Sequence, residues 1–164
     1  MPDADTLLPE PVAFPVLGIP SGAWPGTRKL AMRSAVAPRA GDGGLAPSAT
    51  VALTHTYYLA GQPLPSLVIG QAPAYPGGSG SRSDSAVRLL LRSKQRPTFD
   101  APVDEADHPI RIEGSTVTAT WSRWTDRRLS SVRFDWRADR RVSIAAWEYP
   151  LDAEFFGTLA EIVP

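Results

Sequence analysis

The chain has 164 residues, which suits one globular domain with a sizeable core, and its hydrophobic content of 43% and charged content of 21% argue against wholesale disorder. Seventeen basic and seventeen acidic side chains cancel, so nucleic acid is not expected as a partner, and no apolar run is long enough to cross a membrane. The absence of cysteine excludes disulfides and thiolate chemistry within the chain, and it fits a cytoplasmic protein.

The first 27 residues are both proline-rich and apolar. Six prolines alternate with large apolar residues such as Phe14 and Trp24. Proline at this spacing prevents a helix and weakens a central strand. We therefore expect residues 1–27 to form an extended arm, which lies across its own domain or across a neighbouring chain, and residues 28–164 to form a single β-rich domain.

The first half of that domain contains two alternating segments and one short apolar run after a turn, which together predict three β-strands. These segments are residues 29–36, 50–60 and 67–69. Residues 73–85 are rich in glycine, serine and proline and are expected to form a flexible surface loop. Residues 86–93 alternate again and predict a further strand. Residues 100–107 are expected to be an irregular acidic connector, because prolines flank and interrupt them.

The stretch from Pro109 to Val163 carries the clearest structural signals of the chain. Four period-two runs predict four strands, at residues 110–112, 116–122, 131–137 and 142–149. Polar connections separate these runs, and the first of them is the dipeptide Glu113-Gly114, which is typical of a tight turn. Connections this short join only antiparallel neighbours.

A helix is predicted after Pro150, which cannot continue a strand ladder. Asp152 is placed as its N-cap, and Glu154 in the first turn complements the helix dipole. The apolar stripe of this amphipathic helix consists of Phe155, Phe156, Leu159, Ile162 and Val163. A helix this short is marginal alone, so we expect it to dock on the sheet.

About seven or eight strands and one C-terminal amphipathic helix together predict a mainly β fold of the α+β class. The chain shows no alternation of strands with helices, which argues against a parallel sheet. The two architectures that fit this pattern are an antiparallel β-sandwich and a partly closed barrel, with the terminal helix packed on the sheet in either case.

Counting alternate positions in the last strands places large aromatic residues on both sides of one β-layer. If Phe134 faces the core, a group of aromatic and arginine side chains lies on the opposite face. The candidate binding residues of that face are Trp124, Arg133, Arg137, Trp147 and Tyr149. Such side chains concentrate binding energy at interfaces. The face is therefore either a surface for a protein partner, which could be another subunit or a second copy, or a second core layer that the upstream half covers.

His55 and Tyr57 share the apolar face of the strongest strand in the first half and could line a pocket. A histidine there could act as an acid or base near neutral pH, although a lone inward histidine is more often a core residue. No local spacing joins it to a carboxylate or a nucleophile. The sequence also carries no motif for a metal, a phosphate or a dinucleotide, so we expect neither metal nor cofactor.

Two functional hypotheses follow. The leading one is a non-catalytic protein-interaction or structural module, such as an accessory subunit of a larger assembly, which uses the tryptophan and arginine face. The alternative is a small-ligand-binding or enzymatic β-barrel with a pocket around His55 and Tyr57. The sequence favours a protein that is not an enzyme, without excluding one.

Overall fold

The computed structural model describes residues 14–35, 50–73, 85–94, 101–137 and 140–163. Within these residues, nine β-strands form two antiparallel sheets, and two α-helices pack on the larger one. The strands are β1 (Val16–Gly18), β2 (Gly26–Ala35), β3 (Thr50–Leu59), β4 (Leu67–Pro73), β5 (Asp104–Ile112), β6 (Ser115–Arg123), β7 (Leu129–Trp136), β8 (Arg140–Trp147) and β9 (Ala160–Ile162). The helices are α1 (Ser85–Ser93) and α2 (Ala153–Thr158).

Seven strands form the large sheet, in the order β2-β3-β4-β8-β7-β6-β5. Two meanders, β2 to β4 and β5 to β8, meet where β4 pairs with β8 and Ile69 lies opposite Ile144. The outer strands β2 and β5 do not pair with each other, so the sheet is open rather than closed into a barrel. The predicted α+β antiparallel sandwich is confirmed.

The β5–β6 hairpin turns at Glu113 and Gly114, as the sequence predicts. Both residues have positive φ angles, 52° and 78°, which is the conformation of a type I′ turn. Glycine adopts this conformation without the steric cost that a Cβ brings. The turn fixes the register of the hairpin, with Ile112 opposite Ser115.

Residues 104–107 belong to strand β5, so the prediction of an irregular connector was wrong for them. Acidic residues and Pro109 argue against a central strand, but β5 is an edge of the sheet, where charges and proline are tolerated. A two-residue turn closes on a hydrogen-bonded pair. Ile112 is therefore a hydrogen-bonded position, and so are Ile110 and His108, the alternate residues before it. Pro109 lies between these positions, so its nitrogen points away from the sheet and no ladder hydrogen bond is lost.

Residues 86–93 form helix α1, and the strand predicted for them was wrong. Val87, Leu90 and Leu91 are buried along one helical stripe, whereas Arg88 and Arg92 are exposed. A short apolar run fits both a strand and a helix, and periodicity alone does not separate them. Helix α1 packs on β4 and β8, over the face of the large sheet that carries Val68 and Ala145, here called the α1 face. An upstream element therefore covers one side of the β-layer.

The opposite side of the large sheet, here called the β1 face, carries the main core. Strands β1 and β9 form a small two-stranded sheet above it, with Val16 opposite Ile162. Helix α2 leads into β9 and packs against β5. The central side chains of this core include Leu17, Tyr57, Ile69, Val132, Phe134, Ile144 and Phe156. Together β1, β9 and α2 form the second layer of the sandwich.

Helix α2 is capped as predicted but is shorter than predicted. The Asp152 carboxylate accepts a hydrogen bond from the backbone N–H of Phe155 at 2.9 Å, and Phe155 and Phe156 are buried. The helix ends at Thr158, because the residues after Leu159 pair with β1 in strand β9. Val163, assigned to the apolar stripe, is 84% exposed. Helical periodicity does not reveal a strand partner that lies far away in the chain.

Residues 14–27 of the predicted N-terminal arm include β1, a 3₁₀ turn at Ser21–Ala23 and the start of β2. Residues 1–13 lie outside the described part of the chain, as do residues 74–84 of the predicted flexible loop. The division of the chain at residue 27 and the flexibility of that loop stay predictions.

Two side chains of the large sheet hold the free edge of β1. The Gln71 amide accepts a hydrogen bond from the N–H of Leu17 at 2.8 Å and donates one to the carbonyl of Leu17 at 2.6 Å. The Tyr57 hydroxyl accepts a hydrogen bond from the N–H of Ile19 at 3.1 Å. A Cβ on Gly18 would come within 2.7 Å of the Tyr57 hydroxyl, so this close approach requires glycine. The buried backbone of β1 is therefore satisfied on both edges.

We expect Gln71→Met to destabilise the protein by about 3 kcal/mol, because it leaves a buried N–H and a buried carbonyl of Leu17 without partners while nearly preserving the volume of the side chain. Urea unfolding measures the loss. The matched control is Gln62→Met, at an exposed loop position, which should change the stability by less than about 0.5 kcal/mol. Equal stabilities for the two variants would contradict the role given to Gln71.

Candidate functional site

The candidate binding residues of the predicted tryptophan and arginine face lie on different faces of the large sheet. Trp124 and Trp147 lie on the α1 face with helix α1, as the alternation predicts. Trp124 is buried, and its indole N–H donates a hydrogen bond to the Ser131 hydroxyl at 2.8 Å. Trp147 is half-buried, with the Arg128 guanidinium 4.6 Å from the centre of its ring. These two tryptophans belong to the second core layer.

Arg133 lies on the same α1 face, but it is engaged by an acidic partner. Its guanidinium donates two hydrogen bonds to the Glu105 carboxylate, at 2.9 and 3.1 Å. These hydrogen bonds lower the pKa of Glu105. The pair joins edge strand β5 to β7 across β6, so Arg133 has a structural role in the sheet.

Tyr149 and Arg137 lie away from Trp147, which corrects the predicted alternation. Glu148 has a φ of 53°, and this left-handed residue breaks the period of two after β8. Tyr149 consequently packs on the β1 face, with its ring centre 5.3 Å from that of Trp24. Arg137 follows the end of β7, and its guanidinium lies 4.2 Å from the ring centre of Trp136. The five residues do not form one surface.

His55 and Tyr57 are both buried in the core on the β1 face, at 1% and 0% exposure. Burial, followed by the positive charge of Arg28, lowers the pKa of His55 from 6.5 to about 4, so its ring is neutral at pH 7. Its Nδ1 is buried and has no hydrogen-bond partner among the residues that the structure describes. Burial raises the pKa of Tyr57, whose hydroxyl holds β1. Neither residue lines either of the two cavities described below.

The lowered pKa of His55 makes the stability of the fold depend on pH. The unfolded chain binds a proton near pH 6.5, whereas the folded state does so only near pH 4. The contribution of His55 is therefore complete above about pH 6.5 and is lost as the pH falls toward about 4. A pKa difference of this size between the folded and unfolded states corresponds to on the order of 3 kcal/mol in the free energy of unfolding.

The wild type should lose stability between about pH 7 and pH 4.5 because His55 becomes protonated on unfolding. We expect this loss to be smaller by on the order of 3 kcal/mol in His55→Leu. Urea unfolding at several pH values measures this slope. Ile144→Val, a mild core truncation without a titratable group, should lower the stability equally at every pH. If His55→Leu keeps the wild-type slope, His55 is not the residue responsible.

Two adjoining cavities lie on the β1 face at the β5 edge, and both are lined by Trp121. Each has a volume of about 600 Å³. The first is lined mainly by Asp104, Ala106, His108, Trp121, Arg123, Arg127 and Leu151. The second is lined mainly by Pro109, Ile110, Arg111, Thr116, Trp121, Phe156 and Gly157. We refer to the two cavities together as the Trp121 groove.

The register of the β5–β6 hairpin builds this groove. Asp104 lies opposite Arg123, and Ala106 lies opposite Trp121, so their side chains emerge on one face. The Trp121 ring is half-buried and packs edge-to-face on Phe156 of α2, with 5.5 Å between the ring centres. Its indole N–H is buried and finds no hydrogen-bond partner within the described part of the chain. Helix α2 therefore forms one wall of the groove, and β5 and β6 form its floor.

Two arginines at one end of the groove have no partner among the described residues. Arg123 and Arg127 are exposed and make no hydrogen bond or ion pair with the described residues. Other arginines nearby are paired, since Arg128 bonds Asp126 at 2.8 Å and Arg141 bonds Asp135 at 3.1 Å. The guanidinium groups of the groove are therefore available to an external acceptor.

Sequence patterns did not identify the groove. The strand predicted at residues 116–122 includes Trp121, but the alternation does not show that its ring stays half-buried. The assignment of residues 104–107 to a connector hid the pairing that places Asp104 beside Arg123. The one usable signal was the spacing of Trp121 and Trp124, which lie three positions apart and on opposite faces of the sheet.

Among the described residues, no group of three or more histidine, aspartate or glutamate side chains is arranged to hold a metal ion. None of the described helices is both long and apolar enough to span a membrane. No protein-family model matches the chain, and a search of curated proteins finds no match. Function is therefore inferred from the chemistry of the Trp121 groove.

Proposed function

We propose that the protein is a non-catalytic protein-interaction module, which acts as an accessory subunit of a larger assembly and binds its partner in the Trp121 groove. The observation that carries this proposal is one open concavity that combines a half-buried tryptophan with two arginines, Arg123 and Arg127, which are unpaired within the described ranges. Tryptophan and arginine are the residues most enriched among those that dominate binding energy.

The arrangement of the titratable groups supports binding rather than catalysis. Asp104 and His108 both line the groove, but they lie four positions apart on one strand, which separates their Cα atoms by about 13 Å. That separation is too long for a hydrogen-bonded acid–base pair. His55 lies in the core and is neutral at pH 7.

The length of the groove supports a protein partner rather than a small molecule. It extends along β5 from Asp104 to Ile110, which corresponds to about 20 Å at the rise of a strand. It also lies beside β5, an edge strand whose outer backbone groups are unpaired within the large sheet. An elongated groove beside an open edge is the kind of site at which extended segments bind.

The alternative hypothesis of a ligand-binding or enzymatic barrel has less support. The large sheet is open, and the His55 and Tyr57 side chains are packed in the core. A cytoplasmic location is also part of the proposal, and it depends on the absence of cysteine from the sequence.

We expect Trp121→Leu to weaken capture of the partner by at least about tenfold, because it removes a large aromatic contact at the centre of the groove. The measurement is affinity capture from an extract of the source organism, with quantitative mass spectrometry. Trp147→Leu is the matched control, because Trp147 is the half-buried tryptophan of the opposite face.

Both variants should lose stability by a similar amount, about 1–3 kcal/mol, as thermal melting will show. The control should nevertheless retain the partner. Equal capture by Trp121→Leu and the wild type would contradict the proposal, and so would an equal loss of capture in both variants.

A further inference from the structure

We infer that the segment bound in the Trp121 groove is acidic and extended, with a carboxylate at Arg123 and Arg127 and a large apolar side chain against Trp121 and Phe156. This inference rests on the proposed function, and it specifies the chemistry of the partner.

The charges of the first cavity favour an anionic group. Its lining includes Arg123 and Arg127, and Asp104 is the one carboxylate among its lining residues. Asp104 lies opposite Arg123 in the ladder but does not form an ion pair with it. Two guanidinium groups against one carboxylate leave an excess of positive charge. A carboxylate from the partner would supply the acceptors that these groups lack.

Two neighbouring carboxylates on β5 have hydrogen-bond partners of their own and lie away from the two arginines. The carboxylate of Glu105 bonds Arg133, and that of Asp107 accepts a hydrogen bond from the Thr120 hydroxyl at 2.8 Å. Both lie on the α1 face, away from the groove. Glu105 and Asp107 therefore do not neutralise the two arginines, although they stand on the same strand as Asp104.

The second cavity favours an apolar side chain. Ile110, Trp121 and Phe156 line it, and Gly157 adds open space, since a Cβ there would meet nothing within 4 Å. The Asp152 carboxylate at its rim already accepts a hydrogen bond from the N–H of Phe155. The guanidinium of Arg111 donates a hydrogen bond to the carbonyl of Gly114. An apolar anchor is therefore the group that this end accommodates best.

The distance between the two ends requires an extended segment. Asp104 and Ile110 mark the ends of the groove along β5, and an extended segment of that length covers about seven residues. A helix of seven residues would span only about 10 Å and would not reach both ends. The bound segment thus carries its acidic residues and its apolar anchor several positions apart.

The inference is tested with two fluorescent peptides of about eight residues, which are long enough to span the groove when extended. One has aspartate and glutamate at one end and leucine and phenylalanine at the other, and the second replaces each acid by its amide. Fluorescence anisotropy measures their binding to the full chain. We expect the acidic peptide to bind at least about tenfold more tightly, and a rise from roughly 50 to 300 mM salt to weaken it.

Variants assign the binding to particular residues. The double variant Arg123→Gln, Arg127→Gln should reduce the affinity for the acidic peptide at least about tenfold and leave the amide peptide unchanged. Arg92→Gln, at an exposed arginine on α1, is the control and should bind both peptides as the wild type does. Trp121→Leu should weaken both peptides, because both carry the apolar anchor.

Three results would overturn the inference. In the first, both peptides bind equally and the double variant binds like the wild type, so the groove does not select acidic residues. In the second, neither peptide binds although Trp121→Leu still abolishes capture of a partner, so the proposed function stands and this inference fails. In the third, inorganic phosphate binds at the two arginines and no peptide does, so the occupant is a small anion.

Discussion

The side-chain amide of Gln71 forms two hydrogen bonds to the backbone of Leu17, and the second layer of the sandwich depends on them. Strand β1 pairs with β9 on one edge only, so the polar groups on its other edge need partners from the large sheet. Gln71 and Tyr57 supply these partners from inside the core. Without them, burial of β1 would leave backbone groups unpaired, at a cost of about 1–3 kcal/mol for each group.

The position of the groove follows from that attachment. Strand β1 holds β9, and β9 directly follows α2 in the chain. Helix α2 then places Phe156 against the ring of Trp121. A hydrogen-bonding constraint in the centre of the core therefore sets the geometry of a surface at the edge of the sheet. The arginines of that surface come from β6 and the following turn, which the hairpin register positions independently of α2.

The sequence predicted those elements whose signals are local. Period-two alternation located most of the strands, the pair Glu113 and Gly114 located a turn, and Asp152 located the start of α2. These features depend on residues within a few positions of each other, and their chemistry is specific. The antiparallel sandwich followed from the short connections between the strands.

The features that the sequence did not predict depend on tertiary context. The short apolar run of α1 fits two periods, and only its packing on β4 and β8 distinguishes them. Strand β5 is acidic and contains Pro109, which is acceptable only because β5 is an edge. One left-handed residue, Glu148, moved Tyr149 to the other face. The groove required α2, β5 and β6 to meet, and no local pattern records that contact.

The most direct test of this account is native-state hydrogen exchange of the Leu17 and Ile19 amides, measured by NMR. The Leu17 amide in β1 and the Ile19 amide just after it donate hydrogen bonds to Gln71 and Tyr57 of the large sheet, and not to β9. We expect the Leu17 and Ile19 amides to exchange only through global unfolding, as slowly as the backbone amides in the core of the large sheet. Exchange as fast as that of an exposed strand edge would show that β1 is not held on the sheet, and the account would be contradicted.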